Sequence, residues 1–120
     1  MRRISVLLIA AAFLTGAAFH ARDILAEGWM PYSFAPDPMN MFWTALLPLD
    51  LAVVALIAAK RLRAALALGL AIMVADVWVN AYALLGFGWE VFAPSLVMQS
   101  LFLGYLLGVA PFLWTAEGLR

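Results

Sequence analysis

Few residues in this chain could do chemistry, and the most telling is Asp76. It lies near the middle of an apolar run, residues 64–85, with Asn80 one helical turn further on. At about 1.5 Å rise per residue such a run crosses the roughly 30 Å hydrocarbon core of a bilayer, which puts the carboxyl near the midplane. A charge there costs at least about 2.5 kcal/mol and calls for a reason. Residues four apart share a helix face, so Asp76 and Asn80 point the same way. A second acid, Asp50, stands at a similar depth in another apolar run, residues 41–59, close to Pro48.

With Thr44, Tyr82 and Gln99, in the midplane or outer half of their runs, these residues outline a polar pocket open to the outer side. His20 and the segment 22–40 would form its mouth. Burial disfavours the charged form of an acid, and a second acid nearby disfavours it further, so the two aspartates could share a proton. Such a pair could protonate a substrate, relay protons or hold a cation. The plainer alternative is an uncharged Asp76 that only hydrogen-bonds Asn80, Thr44 or Gln99 and so joins helices. Asparagine would join them as well without the ionisation cost, which favours the chemical reading. His20 sits where a span meets the interface, a comfortable place for an amphipathic ring, and its plainer reading is structural. Trp43 and Trp78 read first as packing or interfacial residues, although a tryptophan face beside an acid suits a cation.

The elements that must position these groups follow from composition. Of 120 residues, 68% are hydrophobic and only 12% charged, too little polar surface to cover a soluble globule. The expected fold is all-α, a four-transmembrane-helix bundle forming one membrane domain, with spans at about 4–21, 41–59, 64–85 and 94–114. Zero net charge and seven basic residues argue against nucleic acid, since no basic stripe exists to neutralise phosphates. With no cysteine and one histidine, neither a thiolate site nor a metal centre is expected, and no cofactor is implied. The expected partners are the lipid bilayer and a small lipophilic ligand.

The first span could instead be a secretory signal, with Arg2 and Arg3 before an apolar core and Gly16, Ala17 and Ala18 as a cleavage site. A retained span is preferred, because the apolar run continues to Ala21 and the three later spans need a packing partner. The segment 22–40, with three prolines and the aromatics Trp29, Tyr32 and Phe34, reads as an interfacial loop. Asp37 and Pro38 look like a helix N-cap followed by proline at the first helical position. Lys60, Arg61 and Arg63 form the turn into the third span. Together with Arg2, Arg3 and Arg120 they put six of seven basic residues on one side, which makes both termini cytoplasmic, in a plasma membrane of bacterial type. Gly104 and Gly108 form a G-x-x-x-G pair that permits close helix approach. Packing within the bundle is the preferred use of it, with a homodimer left open.

With those residues in view, the chain resembles the emopamil-binding and sigma-two receptor superfamily, the EXPERA-type membrane domain. The likeness is carried by His20 followed by Glu27-Gly28-Trp29, by Pro48-Leu49-Asp50-Leu51, by Arg61-Leu62-Arg63 and by Asp76-Val77. It extends into the fourth span through Gly104-Tyr105-Leu106-Leu107 to Pro111. The resemblance implies a four-helix domain around a pocket for sterols or lipophilic amines, and in some members a sterol isomerase. It implies that Asp50 and Asp76 stabilise positive charge and that His20 and Glu27 handle protons. His20 and Glu27 stand seven apart where the family pattern has four. The segment 39–44 also lacks the acid that isomerases carry there, so binding is the expectation ahead of catalysis. The competing expectations are a small proton-coupled transporter or exporter and an accessory membrane subunit. Against the exporter, the first span holds no acid.

Overall fold

The computed structural model describes the backbone of residues 2–118. Within them the chain forms four long helices and no strand: α1 (Arg2–Glu27), α2 (Asp37–Ala58), α3 (Leu62–Phe87) and α4 (Ala93–Gly118), with a 3-10 turn at Glu90–Phe92 leading into α4. All four are long and apolar enough to cross a membrane. Many large apolar side chains are exposed along them, among them Leu7, Leu25, Trp78, Leu85 and Met98, the pattern of helices that meet hydrocarbon rather than water. Arg120, counted above with the basic residues, lies outside the described residues.

The chain divides after Arg61 into two compact units, each an antiparallel helical hairpin. In the first, α1 packs on α2. A stripe at every fourth position of α1, Ser5, Ile9, Phe13 and Ala17, is buried, and α2 buries Trp43, Thr44, Leu46, Asp50 and Val53. In the second, α3 packs on α4. The buried stripe of α3 runs through Leu62, Leu66, Gly69, Met73, Asp76, Asn80 and Ala83, so the polar pair belongs to the packed face of an otherwise apolar helix.

Helix ends depart from the expected spans in ways the backbone explains. The apolar run sets only the length that must avoid water; intrahelical hydrogen bonds continue past it, so α1, α3 and α4 extend beyond both expected ends. The segment 22–40 is therefore mostly helix at its flanks, and the true connection is residues 28–36. Gly28 ends α1 in the left-handed region at φ 91°, its N–H still bonded to Ile24 O at 2.8 Å, and Pro31 prevents resumption. The expected Asp37 cap is off by one. Pro36, extended at φ −54° and ψ 148°, is the capping residue and offers no side-chain cap, so Asp37 and Pro38 are the first two helical positions. Asp37 there still complements the positive end of the helix dipole.

Between α2 and α3 the turn is a Schellman motif. Arg61 N–H reaches Leu56 O at 2.8 Å and Lys60 N–H reaches Ile57 O at 3.0 Å, with Lys60 left-handed at φ 61°. In the second hairpin the guanidinium of Arg63, at the start of α3, donates through Nε and Nη2 to Trp114 O at 3.2 and 3.1 Å. It also lies 5.4 Å from the Trp114 ring centre, pinning the two helices together at that end. Within the second hairpin Gly104 and Gly108 face open space. A methyl group placed on either would meet nothing within 4 Å.

Candidate functional site

In the second unit the structure brings together three of the expected residues. Asn80 Nδ2 donates to Asp76 Oδ1 at 3.1 Å, one turn back along α3, and to Gln99 Oε1 at 2.6 Å, which joins α3 to α4. Asp76 is 8% exposed and Asn80 3%. No basic side chain pairs with Asp76 among the described residues; its one hydrogen-bond donor is an amide, which leaves the second carboxylate oxygen for another partner. The cluster can hold a hydrogen-bond donor or a positive charge, or a proton of its own.

Trp78 and Tyr82 lie elsewhere. Each follows a member of the polar pair by two residues, about 200° around the helix, and each is exposed, at 76% and 57%. Tyr82 lies over Gly86 and begins an aromatic ladder in which its ring meets Phe87 edge-on at 5.4 Å. Phe87 stacks on Trp89 at 4.6 Å. That ladder caps the α3–α4 connection.

In the first unit Asp50 is buried, 6% exposed, and backs onto Gly16 of α1. It belongs to a different unit from Asp76. Thr44 is also buried, but its hydroxyl donates to Asn40 Oδ1 at 3.3 Å, one turn back along α2. Asn40 carries more of the geometry than the sequence assigns it. Its amide accepts from Tyr32 N–H at 3.0 Å and donates to Met30 O at 3.1 Å, imitating the edge of a strand and holding the connection 28–36 against the start of α2.

Tyr32, thus fixed, reaches down to α1. Its hydroxyl donates to Asp23 Oδ2 at 2.7 Å and lies 2.9 Å from His20 Nδ1. Its ring is flanked edge-on by Trp43 at 5.6 Å and by Phe34 at 6.4 Å. Burial, and then the hydrogen bond to Asp23, hold the Tyr32 phenol well above its ordinary value, so at neutral pH it is a neutral hydroxyl. Arg22 lies 3.9 Å from the other Asp23 oxygen, largely exposed, and tempers the charge. His20 is therefore tied to Asp23 and Tyr32 rather than to Glu27. Glu27 sits two turns on, about 10 Å along the helix, exposed at the end of α1. The signal that could have found Asp23 was its spacing: three residues after His20 is the same helix face.

No group of three or more His, Cys, Asp or Glu side chains gathers among the described residues to hold a metal ion. Comparison with protein-family models, with curated proteins and with solved structures finds no match to this chain.

Proposed function

We propose that this is an integral membrane protein that binds a small lipophilic ligand, sterol-like or a cationic amphiphile, with Asp76 as its intramembrane polar anchor. The observation that carries the reading is the buried Asp76 carboxyl, held by one neutral amide donor, on the packed face of a helix apolar enough to cross a bilayer. A ligand hydroxyl or ammonium would complete its hydrogen bonding. Asn80 and Gln99 would orient that group, and the apolar walls would take the rest of the molecule. Asp50 is the second acid of the reading, in the first hairpin.

The resemblance to the emopamil-binding and sigma-two receptor superfamily supports the same ligand class. Binding is preferred over sterol isomerisation, because His20 and Glu27 stand two turns apart along α1. The basic residues Lys60, Arg61 and Arg63, with Arg2 and Arg3, support a plasma-membrane orientation with cytoplasmic termini.

The test is the thermal midpoint of the detergent-purified protein against a panel of sterols and amphiphilic amines at two pH values, beside Asp76→Asn. A ligand at a hundred times its Kd should stabilise the native protein by about 2.7 kcal/mol and leave the variant unmoved. If no ligand shifts the native protein and the variant is equally stable, the binding reading fails. Proton-coupled flux in liposomes that Asp76→Asn abolishes would then favour the carrier.

A further inference from the structure

The chain Asp23–Tyr32–His20 lies in the first hairpin and is independent of the Asp76 reading. From its geometry we infer that Asp23, acting through the Tyr32 hydroxyl, holds His20 in the tautomer that carries its proton on Nδ1, leaving Nε2 as a proton acceptor for an O–H or N–H group at the outer end of the hairpin.

The Tyr32 hydroxyl owns one hydrogen, and the Asp23 carboxylate, at 2.7 Å and able only to accept, commands it. His20 Nδ1 lies 2.9 Å from the same oxygen. Two heavy atoms at that distance need one hydrogen between them, and since the phenol has spent its own, the hydrogen must come from Nδ1. A neutral imidazole carries one N–H, so Nε2 is left with its lone pair. Asp23 thus sets the state of a ring it does not touch.

Tyr32 is well placed for the part because it is held from three directions: its backbone N–H by Asn40, its ring by Trp43 and Phe34, its hydroxyl by Asp23. The consequence for transfer is balanced. A proton taken at Nε2 from a ligand hydroxyl or ammonium is matched by passage of the Nδ1 proton to the Tyr32 oxygen and of the Tyr32 proton to Asp23. Tyr32 and His20 are neutral before and after, and the ligand's proton equivalent ends on Asp23. The Asp23 side chain is 34% exposed and can release it to solvent. Asp23 and Tyr32 are positioning residues in this scheme, and His20 is the acceptor.

His20 is the one histidine in the sequence, so a histidine-selective nitrogen-15 label reports it alone in the full-length protein, prepared without a histidine tag. At pH 8 in micelles the native ring should show Nδ1 protonated and Nε2 bare. Asp23→Ala should reverse this, because a phenol no longer bound to a carboxylate can give its hydrogen to Nδ1. Asp23→Asn, whose amide oxygen still accepts, should retain the native tautomer, and Tyr32→Phe should leave a mixture of the two. Native protein with the proton on Nε2 overturns the inference. So does Asp23→Ala that keeps the Nδ1–H form with its helical circular dichroism intact. Should Asp23→Ala not fold, the inference stands or falls on the native spectrum and Tyr32→Phe: an Nδ1–H form that Tyr32→Phe leaves unchanged overturns it.

Discussion

Gly16 on α1 and Asp50 on α2 approach so closely that a methyl group placed on the glycine would fall 2.8 Å from Asp50 Oδ2. The absence of a side chain at position 16 is what lets a buried acid fit between the two helices. Gly16→Ala should therefore destabilise the protein: overpacking costs about 1–3 kcal/mol, of which better helix propensity returns about 1 kcal/mol. In an Asp50→Ala background the same change should become neutral or stabilising. The check is a double-mutant cycle on unfolding in detergent, and equal costs in the two backgrounds would remove the contact from the account.

Asn40 makes a prediction of a different kind, because its amide serves the connection rather than the helix. Asn40→Asp keeps the acceptor for Tyr32 N–H but loses the donor to Met30 O. A hydrogen bond lost there is worth about 1.4 kcal/mol, a factor of ten in the opening equilibrium. Backbone amides of residues 28–36 should exchange about tenfold faster, while those of α3 and α4 keep their native rates. Uniform acceleration across both hairpins would mean that Asn40 supports the whole fold instead.

The four helices were legible in the sequence because a helix long and apolar enough to cross a bilayer leaves a plain signature: a long apolar run, ended by glycine, proline and charge. The Asp76–Asn80 pair was legible by the same token, four residues on one face. What was not legible depended on rotation and on short-range geometry. Trp78 is near Asp76 in sequence and faces away from it, a result that the 100° turn per residue already contains. Tyr32 and Asp23 looked like ordinary interfacial residues, since a tyrosine in a proline-containing connection gives no hint of what its hydroxyl will reach. Asn40 was hidden for a similar reason: it sits where α2 begins, and its partners are backbone atoms, which no side-chain pattern can announce.

Alkaline titration should single out Tyr32. Its phenol is held above the ordinary value, chiefly by burial, so the folded chain keeps a proton that the unfolded chain gives up near pH 10. Stability from this source is complete below about pH 10 and falls as pH rises further, since the unfolded state then binds fewer protons. The tyrosinate absorbance of native protein minus that of Tyr32→Phe should accordingly appear only beyond the normal tyrosine range. A difference spectrum that rises at about pH 10 would mean the hydroxyl is neither buried nor bonded to Asp23 in solution.

Lys60 offers a stabilising change. It occupies the left-handed position of the Schellman turn at φ 61°, with the hydrogen bonds of that motif on either side. For a residue with a β-carbon this conformation costs about 1–2 kcal/mol, which glycine does not pay. Against that gain stand the greater entropy of glycine in the unfolded chain, about 0.5–1 kcal/mol, and the loss of one positive charge near the C-terminus of α2, about 0.3–1 kcal/mol at the surface and smaller in salt. Lys60→Gly should therefore raise stability by a few tenths of a kcal/mol at high ionic strength and by less at low. Lys60→Ala, which loses the charge without relieving the backbone, should lower it in both. Measuring both variants at two salt concentrations separates the backbone from the charge. Glycine no better than alanine at high salt would show that the turn relaxes out of the left-handed region in the folded protein.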